Sequence, residues 1–215
     1  MISLAEQPII SGVLSGVYGI VLIGLVYFWA ATVNSDPTDK TKDKAKDTSG
    51  EVPFSCDICL VDVDKTSKHC GRCNRCVDHF DHHCPYVNNC IGGQNYHLFI
   101  KLVSFALLFT WGYIGTAILS LVDYYNQPVG IVNQHKLVFG GPRFTELTVV
   151  TIIGLVVNLA GAAFVTILGI FHIQLTSKGL TTYEHILAER EKKRVMNEAK
   201  ANTPEISNYE LANKG

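Results

Sequence analysis

The residues with the clearest chemistry in this 215-residue chain are seven cysteines, all of which lie between Cys56 and Cys90. Their segment reads Cys-x2-Cys-x9-His-Cys-x2-Cys-x2-Cys-x4-Asp-His-His-Cys-x5-Cys. Tetrahedral zinc prefers thiolate and imidazole donors, and a Cys-x2-Cys turn presents two thiolates to one ion. Two such sites take eight donors, which six cysteines and two histidines supply. The candidate ligands are Cys56, Cys59, His69, Cys70, Cys73, Cys76, His83 and Cys90.

Two divisions give each zinc ion four of these donors. The sequential division groups Cys56, Cys59, His69 and Cys70, and then Cys73, Cys76, His83 and Cys90. The interleaved division groups Cys56, Cys59, His69 and Cys76, and then Cys70, Cys73, His83 and Cys90. The interleaved division is favoured on geometry, because it keeps Cys70-x2-Cys73 as one intact turn. Residues 51–95 hold few large apolar side chains, so we expect two structural zinc ions to supply much of their folding free energy.

Cys84 is the cysteine that the zinc count leaves over. A free cysteine has a pKa of about 8.5, and a neighbouring imidazole can lower it and take the proton. His82 can act as that base, and Asp81 can orient and stabilise the imidazole. Alternate residues of an extended segment share a face, so His82 and Cys84 would face one side and His83 the zinc. The pattern predicts a nucleophile, base and carboxylate, against the simpler alternative of an idle buried thiol.

Three long apolar segments predict an α-helical multi-pass membrane protein. They cover residues 9–31, 98–122 and 147–175, and Lys101 is the only charged residue among them. A helix crosses the hydrocarbon core with about 20 apolar residues. The first segment is too long for a signal-peptide core and lacks a basic flank before it, so an anchor is expected. The fold class is therefore three transmembrane helices, with a small Cys-rich double-zinc domain between the first and the second.

The distribution of Lys and Arg predicts the orientation in the membrane. Residues 1–31 contain none, residues 32–97 contain eight, residues 123–146 contain two, and residues 177–215 contain seven. Cytosolic flanks carry the basic excess, so the Cys-rich domain and the C-terminal tail are expected in the cytosol. An odd number of clustered cysteines also suits a reducing compartment better than disulfides do.

The predicted organisation follows from these segments. It comprises an N-terminal segment and span (1–31), a charged linker (32–50), the zinc domain (51–97), a span (98–122), an outer loop (123–146), a span (147–175) and a tail (176–215). The linker composition predicts a solvated tether through residue 52, and residues 189–200 have helical composition. His172 is expected to be a helix-packing or snorkelling residue, and no internal repeat is expected beyond two zinc knuckles.

The Asp81-His82-His83-Cys84-Pro85 segment, inside a Cys-rich domain flanked by spans, resembles the DHHC protein S-acyltransferases, or palmitoyltransferases. The resemblance continues through Val87-Asn88-Asn89-Cys90-Ile91-Gly92-x2-Asn95 and Phe99. Beyond the third span, Thr181-Thr182-Tyr183-Glu184 is similar to the Thr-Thr-x-Glu motif of that family.

The resemblance implies that Cys84 is acylated by palmitoyl-CoA or another fatty acyl-CoA, and that the acyl group then passes to a cysteine of a protein substrate. It also implies that Asp81 and His82 serve catalysis, that His83 binds zinc, and that the zinc pattern is interleaved. Expected partners are membrane lipid, acyl-CoA and proteins with membrane-proximal cysteines, in the endoplasmic reticulum, Golgi or plasma membrane. Candidate contacts to the CoA phosphates are Lys65, Lys68, Arg72 and Arg75.

The chain also departs from the family pattern. One span precedes the Cys-rich domain where the family commonly has two, and Tyr86 stands where the family usually has Trp. The alternative function is therefore a catalytically silent, membrane-tethered zinc scaffold that lacks a first transmembrane helix. Nucleic-acid binding is not expected, because a span begins directly after the ligands and leaves no room for a groove-reading helix.

Overall fold

The described residues form four helices and three β-hairpins. The computed structural model describes residues 7–40, 54–126 and 144–202. Helix α1 spans Gln7–Val33, α2 spans Tyr96–Asn126, α3 spans Phe144–Ser177 and α4 spans Thr182–Asn202. In the described part of the chain between α1 and α2 there are six three-residue strands. Predictions that concern residues 1–6, 41–53, 127–143 and 203–215 lie outside the described residues.

Among the described residues, three helices are long and apolar enough to cross a membrane. The candidate spans are Gly12–Val33, Tyr96–Val122 and Thr148–Ser177, with mean hydropathies of 2.0, 1.8 and 2.2. Helix α2 packs against both α1 and α3. The Tyr18 hydroxyl donates to the Phe109 carbonyl at 3.1 Å, and Trp111 Nε1 donates to Thr166 Oγ1 at 3.0 Å. The prediction of three membrane helices with a Cys/His-rich module between the first two is confirmed.

The module between α1 and α2 is made of three antiparallel hairpins with one shared register. Strand β1 (Phe54–Cys56) pairs with β2 (Val61–Val63), β3 (Lys68–Cys70) with β4 (Arg75–Val77), and β5 (His82–Cys84) with β6 (Asn89–Ile91). The residue before each second strand has a positive φ: Leu60 at 54°, Asn74 at 49° and Asn88 at 45°. This left-handed residue lets each tight turn close, and Asn tolerates it best of the two residue types.

The hairpins therefore form a repeat that the sequence pattern did not predict. Corresponding strands begin at intervals of 14 residues, and so do the cysteines that end each first strand, Cys56, Cys70 and Cys84. The expectation of no repeat beyond two knuckles is wrong. The physical reason is that a hairpin unit is defined by its backbone turn and register, while few side-chain identities recur in all three units.

The described part of the linker, residues 34–40, is not the solvated tether that was predicted. It lies across the hairpins: Asp39 N donates to the Cys76 carbonyl at 3.0 Å, and Asp78 N donates to the Pro37 carbonyl at 3.2 Å. The Asp39 carboxylate accepts from Asp64 N at 2.7 Å and from Ser67 Oγ at 2.5 Å. Its polar groups therefore serve as partners for the hairpin backbone, which the composition alone does not reveal.

Two asparagines join this strap, residues 34–40, to the end of α1 and to the third hairpin. The two hydrogens of Asn89 Nδ2 are shared among the carbonyl oxygens of Thr32, Val33 and Ser35, which lie at 3.1, 3.3 and 2.9 Å. Asn95 Nδ2 donates to Ser35 Oγ at 2.8 Å and to the Cys90 carbonyl at 2.9 Å. Because a helix leaves its last carbonyls without partners, Asn89 caps α1 and fixes the first span to the module.

Candidate active site and metal centres

Two groups of donors in the module match the interleaved division. Cys56, Cys59, His69 and Cys76 form one group, and Cys70, Cys73, His83 and Cys90 form the other, each with its ligand atoms within 4.8 Å of one another. The sequential division is not realised. His69 and Cys70 are neighbours in strand β3, so their side chains point to opposite faces and serve different groups.

The donor distances test whether zinc fits. Cys59 Sγ lies 3.2 Å and Cys56 Sγ 3.9 Å from His69 Nδ1. In the second group the matching distances, from Cys73 and Cys70 to His83 Nδ1, are 3.3 and 3.9 Å. Tetrahedral zinc, with bonds of about 2.0 to 2.3 Å, separates its donors by roughly 3.5 Å. All seven cysteines are free thiols, and the donor distances in both groups lie on either side of the separation that zinc needs, so the residues fit a zinc ion.

Each donor group is shared between two hairpins. The first takes Cys56 and Cys59 from the turn of the first hairpin, and the cross-strand pair His69–Cys76 from the second. The second group repeats this one hairpin later, with Cys70, Cys73 and the cross-strand pair His83–Cys90. Three hairpins thus hold two donor groups between them. The turn of the third hairpin has no following hairpin to complete a group.

Cys84 occupies the first-ligand position of that third turn. Three residues later, where the other turns have a second cysteine, the chain has Val87. Cys84 is 5% exposed and packs in an apolar cluster with Val87, Ile91, Phe99 and Val103. Side chains from all three long helices border this cluster: Val33 of α1, Leu107 of α2, and Val165 and Leu168 of α3. The thiol therefore lies where the module meets the three helices.

Asp81 and His82 form a hydrogen-bonded pair beside Cys84. His82 Nδ1 lies 2.5 Å from Asp81 Oδ1, and Asp81 Oδ2 accepts the backbone N–H of Thr182 at 2.9 Å. Burial by itself raises the pKa of Asp81, but the hydrogen bonds from His82 and Thr182 outweigh it and hold that pKa below its usual value. Asp81 is therefore a buried carboxylate with partners on both oxygens.

The pKa values of His82 and Cys84 move in opposite directions. Burial by itself lowers the pKa of His82, but the hydrogen bonds and charges of Asp81 and Cys84 outweigh it and raise the pKa to about 9. Burial by itself raises the pKa of Cys84, yet hydrogen bonds from His82 and from the backbone N–H groups of Tyr86 and Val87 lower it. A thiolate beside an imidazolium is the arrangement that makes a cysteine nucleophilic at neutral pH.

The Thr-Thr-x-Glu motif forms the N-terminus of α4 and reaches the same pair. Thr181 N donates to Glu184 Oε2 at 2.8 Å, and Glu184 N donates to Thr181 Oγ1 at 3.1 Å, which makes a reciprocal capping box. The next N–H, that of Thr182, is one of the helix donors without an intrahelical partner, and it binds Asp81. The motif thus ties a segment 101 residues away to the carboxylate.

His172, which was predicted to be a packing or snorkelling residue, is buried close to the Asp81–His82 pair. It is 2% exposed, and its ring centroid lies 5.8 Å from that of His82. The sequence signal was a polar ring near the end of an otherwise apolar span, nine residues before Thr181. Tyr96, at the start of α2, also reaches this region, and nothing in its local sequence pointed to it.

The four candidate CoA contacts have different surroundings. Arg75 contacts Asp36 at 3.1 Å and Asn89 Oδ1 at 2.6 Å. Lys68 Nζ lies 5.8 Å from the centroid of the Tyr183 ring. Lys65 and Arg72 lie on exposed turns of the module. Arg75 therefore supports the strap through Asp36, whereas Lys65 and Arg72 are exposed.

Comparison with known proteins agrees with this geometry. The family model of the DHHC palmitoyltransferases matches residues 53–189. The chain is 32% identical to "Probable protein S-acyltransferase 20" of Arabidopsis thaliana, over 77% of this chain and 24% of the relative. It is 32% identical to "Palmitoyltransferase ZDHHC11" of Homo sapiens, over 70% and 40%, and 39% identical to "Protein S-acyltransferase 18" of Arabidopsis thaliana, over 63% and 27%.

The chain spans less than half the length of these relatives, while the family match covers the module, both following spans and the start of α4. The matched segment includes all eight candidate zinc ligands, the Asp81–His82–Cys84 group and the capping box of α4. The chain therefore belongs to the DHHC palmitoyltransferase family.

Proposed function

We propose that this protein is a protein S-acyltransferase that uses Cys84 as its nucleophile. One observation carries the proposal: of the seven cysteines, which all lie within the described ranges, six fall into the two donor groups and Cys84 does not. Cys84 instead lies beside His82, which is paired with Asp81, and hydrogen bonds from His82 and from the N–H groups of Tyr86 and Val87 outweigh burial and lower the pKa of Cys84. The names of the relatives describe the same reaction class.

The reaction would proceed through two thioester exchanges. The Cys84 thiolate attacks the thioester carbonyl of acyl-CoA, a carbon–sulfur bond forms to Cys84, and the bond to the CoA sulfur breaks. His82, protonated in the resting pair, gives its proton to the departing CoA thiolate. His82 then takes the proton of a substrate cysteine, whose thiolate attacks the acyl-Cys84 and displaces the Cys84 thiolate. One thioester replaces another at each step, so no nucleotide hydrolysis is needed.

Asp81 would keep the imidazole in place through both exchanges. Its Oδ1 holds His82 Nδ1, which leaves the other ring nitrogen to serve Cys84. The backbone N–H of Thr182 holds the second oxygen, so the carboxylate has one orientation. This is the division of labour found in other triads of nucleophile, base and carboxylate.

The metal ions in this proposal are structural. Zinc at the two donor groups would join the first hairpin to the second and the second to the third, and it would supply folding free energy that the small apolar content of the module does not. No step of the reaction passes through zinc. The ligands of the first ion would be Cys56, Cys59, His69 and Cys76, and those of the second Cys70, Cys73, His83 and Cys90.

The acyl chain and the CoA group would approach Cys84 from different sides. The apolar cluster around the thiol continues into α1, α2 and α3, and each buried methylene of the chain is worth about 0.8 kcal/mol. We propose that CoA approaches from the module side, where Lys65, Lys68 and Arg72 offer positive charge. Arg75 is the weakest of the four candidates, because Asp36 and Asn89 already hold its guanidinium.

The proposed orientation places the module and α4 in the cytosol, where acyl-CoA and the thiols of substrate proteins are available. The basic excess of residues 32–97 and of the segment after α3 supports this orientation. Substrates would be proteins with cysteines close to the membrane surface, because Cys84 lies at the junction of the module with the spanning helices.

The test uses the purified chain in detergent with labelled palmitoyl-CoA. We expect a hydroxylamine-sensitive adduct on the wild-type chain and none on Cys84→Ser, while both bind about two zinc ions per chain. A wild-type chain that binds zinc and forms no adduct would contradict the proposal and favour the silent scaffold. An adduct that persists in Cys84→Ser would place the nucleophile elsewhere.

A further inference from the structure

The buried histidine of α3, His172, packs directly against the proposed base. Its ring centroid lies 4.9 Å from that of Phe99 and 5.8 Å from that of His82. Phe99 in turn lies 5.3 Å from His82, with the two ring planes at 75°. The imidazole of His82 therefore has a ring against it from α2 and another from α3, in addition to its hydrogen bond to Asp81.

Hydrogen-bond counting fixes which nitrogen of His172 carries a proton. Thr176 Oγ1 donates its one hydrogen to the His172 carbonyl at 2.8 Å, so it can only accept from the Tyr96 hydroxyl at 3.2 Å. Tyr96 then has no hydrogen left, and its oxygen must accept from His172 Nδ1, which lies at 3.2 Å. The chain of donors runs from His172 to Tyr96 to Thr176 and sets the orientation of the His172 ring.

A metal site at this place is less well supported than a positioning role. One ligand atom each of Asp81, His82 and His172 lies within 4.8 Å of the others, which is a donor set that a metal ion could use. However, both Asp81 oxygens already accept hydrogen bonds, one from His82 Nδ1 and one from Thr182 N. The Nδ1 of His172 is also engaged with Tyr96. Both Asp81 oxygens and the Nδ1 atoms of both histidines are therefore already engaged, which leaves a metal ion only the two Nε2 atoms.

The end of α3 and the start of α4 thus hold the proposed catalytic pair at two points. Thr182 fixes Asp81 by a hydrogen bond, and His172, ten residues earlier, packs against the ring of His82. A base that must both take and return a proton works in one ring orientation, and small displacements of such groups are costly to the rate. Both contacts come from one continuous stretch of chain.

Resting on the proposed acyltransfer function, we propose that His172 is a positioning residue that holds the His82 ring in line with Cys84. The His172 ring supplies the contact, together with Phe99. The hydrogen bond to Tyr96 orients that ring. His172 itself does not exchange a proton with substrate in this scheme, so its contribution depends on ring shape more than on its nitrogen atoms.

Two substitutions at this position separate ring from nitrogen. His172→Ala removes the ring, and we expect kcat for Cys84 acylation to fall about 30-fold, while KM for palmitoyl-CoA stays within about twofold. His172→Phe keeps a ring and loses both nitrogens, including the donor to Tyr96, and we expect it to recover most of the rate, to within about threefold of wild type. Zinc content per chain and the unfolding temperature report whether each variant is folded.

Two further variants test the hydrogen bond between His172 and Tyr96 and provide a matched control. Tyr96→Phe deletes the hydroxyl and keeps its ring, and we expect a fall of about threefold; in the His172→Ala background it should add nothing, because the two residues act as one unit. His185→Ala is the control. Its ring lies 5.7 Å from Phe171, the neighbour of His172 in the chain, and we expect wild-type rates.

Each outcome decides the inference. A folded, zinc-loaded His172→Ala with wild-type kcat would overturn it. So would His172→Phe as slow as His172→Ala, which would assign the role to the nitrogens, or loss of zinc in both, which would assign it to the fold. The rate of Cys84 alkylation by iodoacetamide, expected to fall in His172→Ala and recover in His172→Phe, gives a readout independent of acyl-CoA. A wild-type chain that forms no adduct would refute only the proposed function.

Discussion

The second and third hairpins of the module are built alike and would do different work. Both end their first strand in a cysteine, Cys70 or Cys84, and both turns close through an asparagine of positive φ, Asn74 at 49° and Asn88 at 45°. Three residues after the cysteine, one hairpin has Cys73 and the other has Val87. The first difference between a proposed zinc ligand and a proposed nucleophile is therefore a single side chain.

The second difference is the element that comes after each hairpin. The turn of the second hairpin faces the cross-strand pair His83–Cys90 of the third. The turn of the third hairpin faces no further hairpin, because α2 begins at Tyr96. Cys84 thus lies in the turn of a zinc knuckle that lacks the other three ligands. Its sulfur is therefore available to interact with His82.

The backbone N–H groups of the two turns have similar effects on the pKa values of Cys70 and Cys84. Burial by itself raises the pKa of Cys70, but N–H groups of Cys73 and Arg72 and neighbouring thiols outweigh it and lower that pKa. The N–H groups of Val87 and Tyr86, at the same two positions of the next repeat, lower the pKa of Cys84. A turn suited to a zinc-bound thiolate also suits a free one, since both need amide donors around a negative sulfur.

The largest expected effect comes from Cys70→Ser, the repeat equivalent of Cys84→Ser. We expect it to lose the second zinc ion and with it the folded second and third hairpins, because structural zinc supplies about 10 kcal/mol or more of folding free energy in small modules. Zinc content by mass spectrometry and limited proteolysis of the module measure this. Retention of both ions in Cys70→Ser would break the comparison between the two hairpins.

Removal of the base should affect the reaction and spare the fold. His82→Ala is expected to slow Cys84 acylation by about 10² to 10⁴, the usual contribution of general acid–base catalysis. Its zinc content should equal that of wild type, whereas His83→Ala, one residue later, should lose zinc. Equal zinc loss in the two variants would contradict the division of roles between the neighbouring histidines.

Val87→Cys would make the third turn like the second. The new Cys-x2-Cys turn, with His82 beside it, offers three zinc donors, and we expect about three zinc ions per chain and acylation inhibited by excess zinc. A mild chelator should restore the rate. Val87→Ser is the control, because serine is close to cysteine in size but is a poor zinc donor. If excess zinc does not slow acylation of the Val87→Cys variant, the third turn does not have the geometry of a zinc knuckle.

The smallest expected effect concerns the capping box of α4. Glu184→Ala removes the acceptor for Thr181 N and should weaken the first turn of α4 by about 0.5 to 2 kcal/mol. Because the Thr182 N–H of that turn holds Asp81, we expect a few-fold loss of acylation rate with full zinc content. Glu198→Ala, at the far end of the same helix, should leave the acylation rate unchanged. An equal loss of rate in that variant would show that the effect does not act through Asp81.

The sequence predicted the membrane spans and the candidate donors better than it predicted the contacts that hold them in place. The three spans follow from length and hydrophobicity, which are properties of contiguous segments. The candidate ligands and Cys84 follow from residue type and spacing, because a metal site needs particular atoms. The partition of donors among hairpins was favoured by one intact Cys-x2-Cys turn, and strand alternation at His69 and Cys70 supplies its structural reason.

Residues 34–40 and His172 show why composition fails elsewhere. The strap is polar and was expected in solvent, yet Asp39 and Pro37 are buried because each meets a backbone partner in the hairpins. His172 is a single polar ring in an apolar span, and such a ring has several common uses. Only the packing of α3 on α2 brings it to His82.

By itself the sequence determined the parts: three membrane helices, a small module that is poor in large apolar side chains, eight candidate zinc donors and one further cysteine. These depend on residue identity and local spacing. Tertiary structure alone decided which distant groups meet: the strap on the hairpins, Thr182 on Asp81, and His172 on His82. The hydrogen bonds among those contacts join residues from 25 positions apart, at Asp39 and Asp64, to 101 positions apart, at Asp81 and Thr182. Their geometry depends on how buried surfaces pack, which no local pattern encodes.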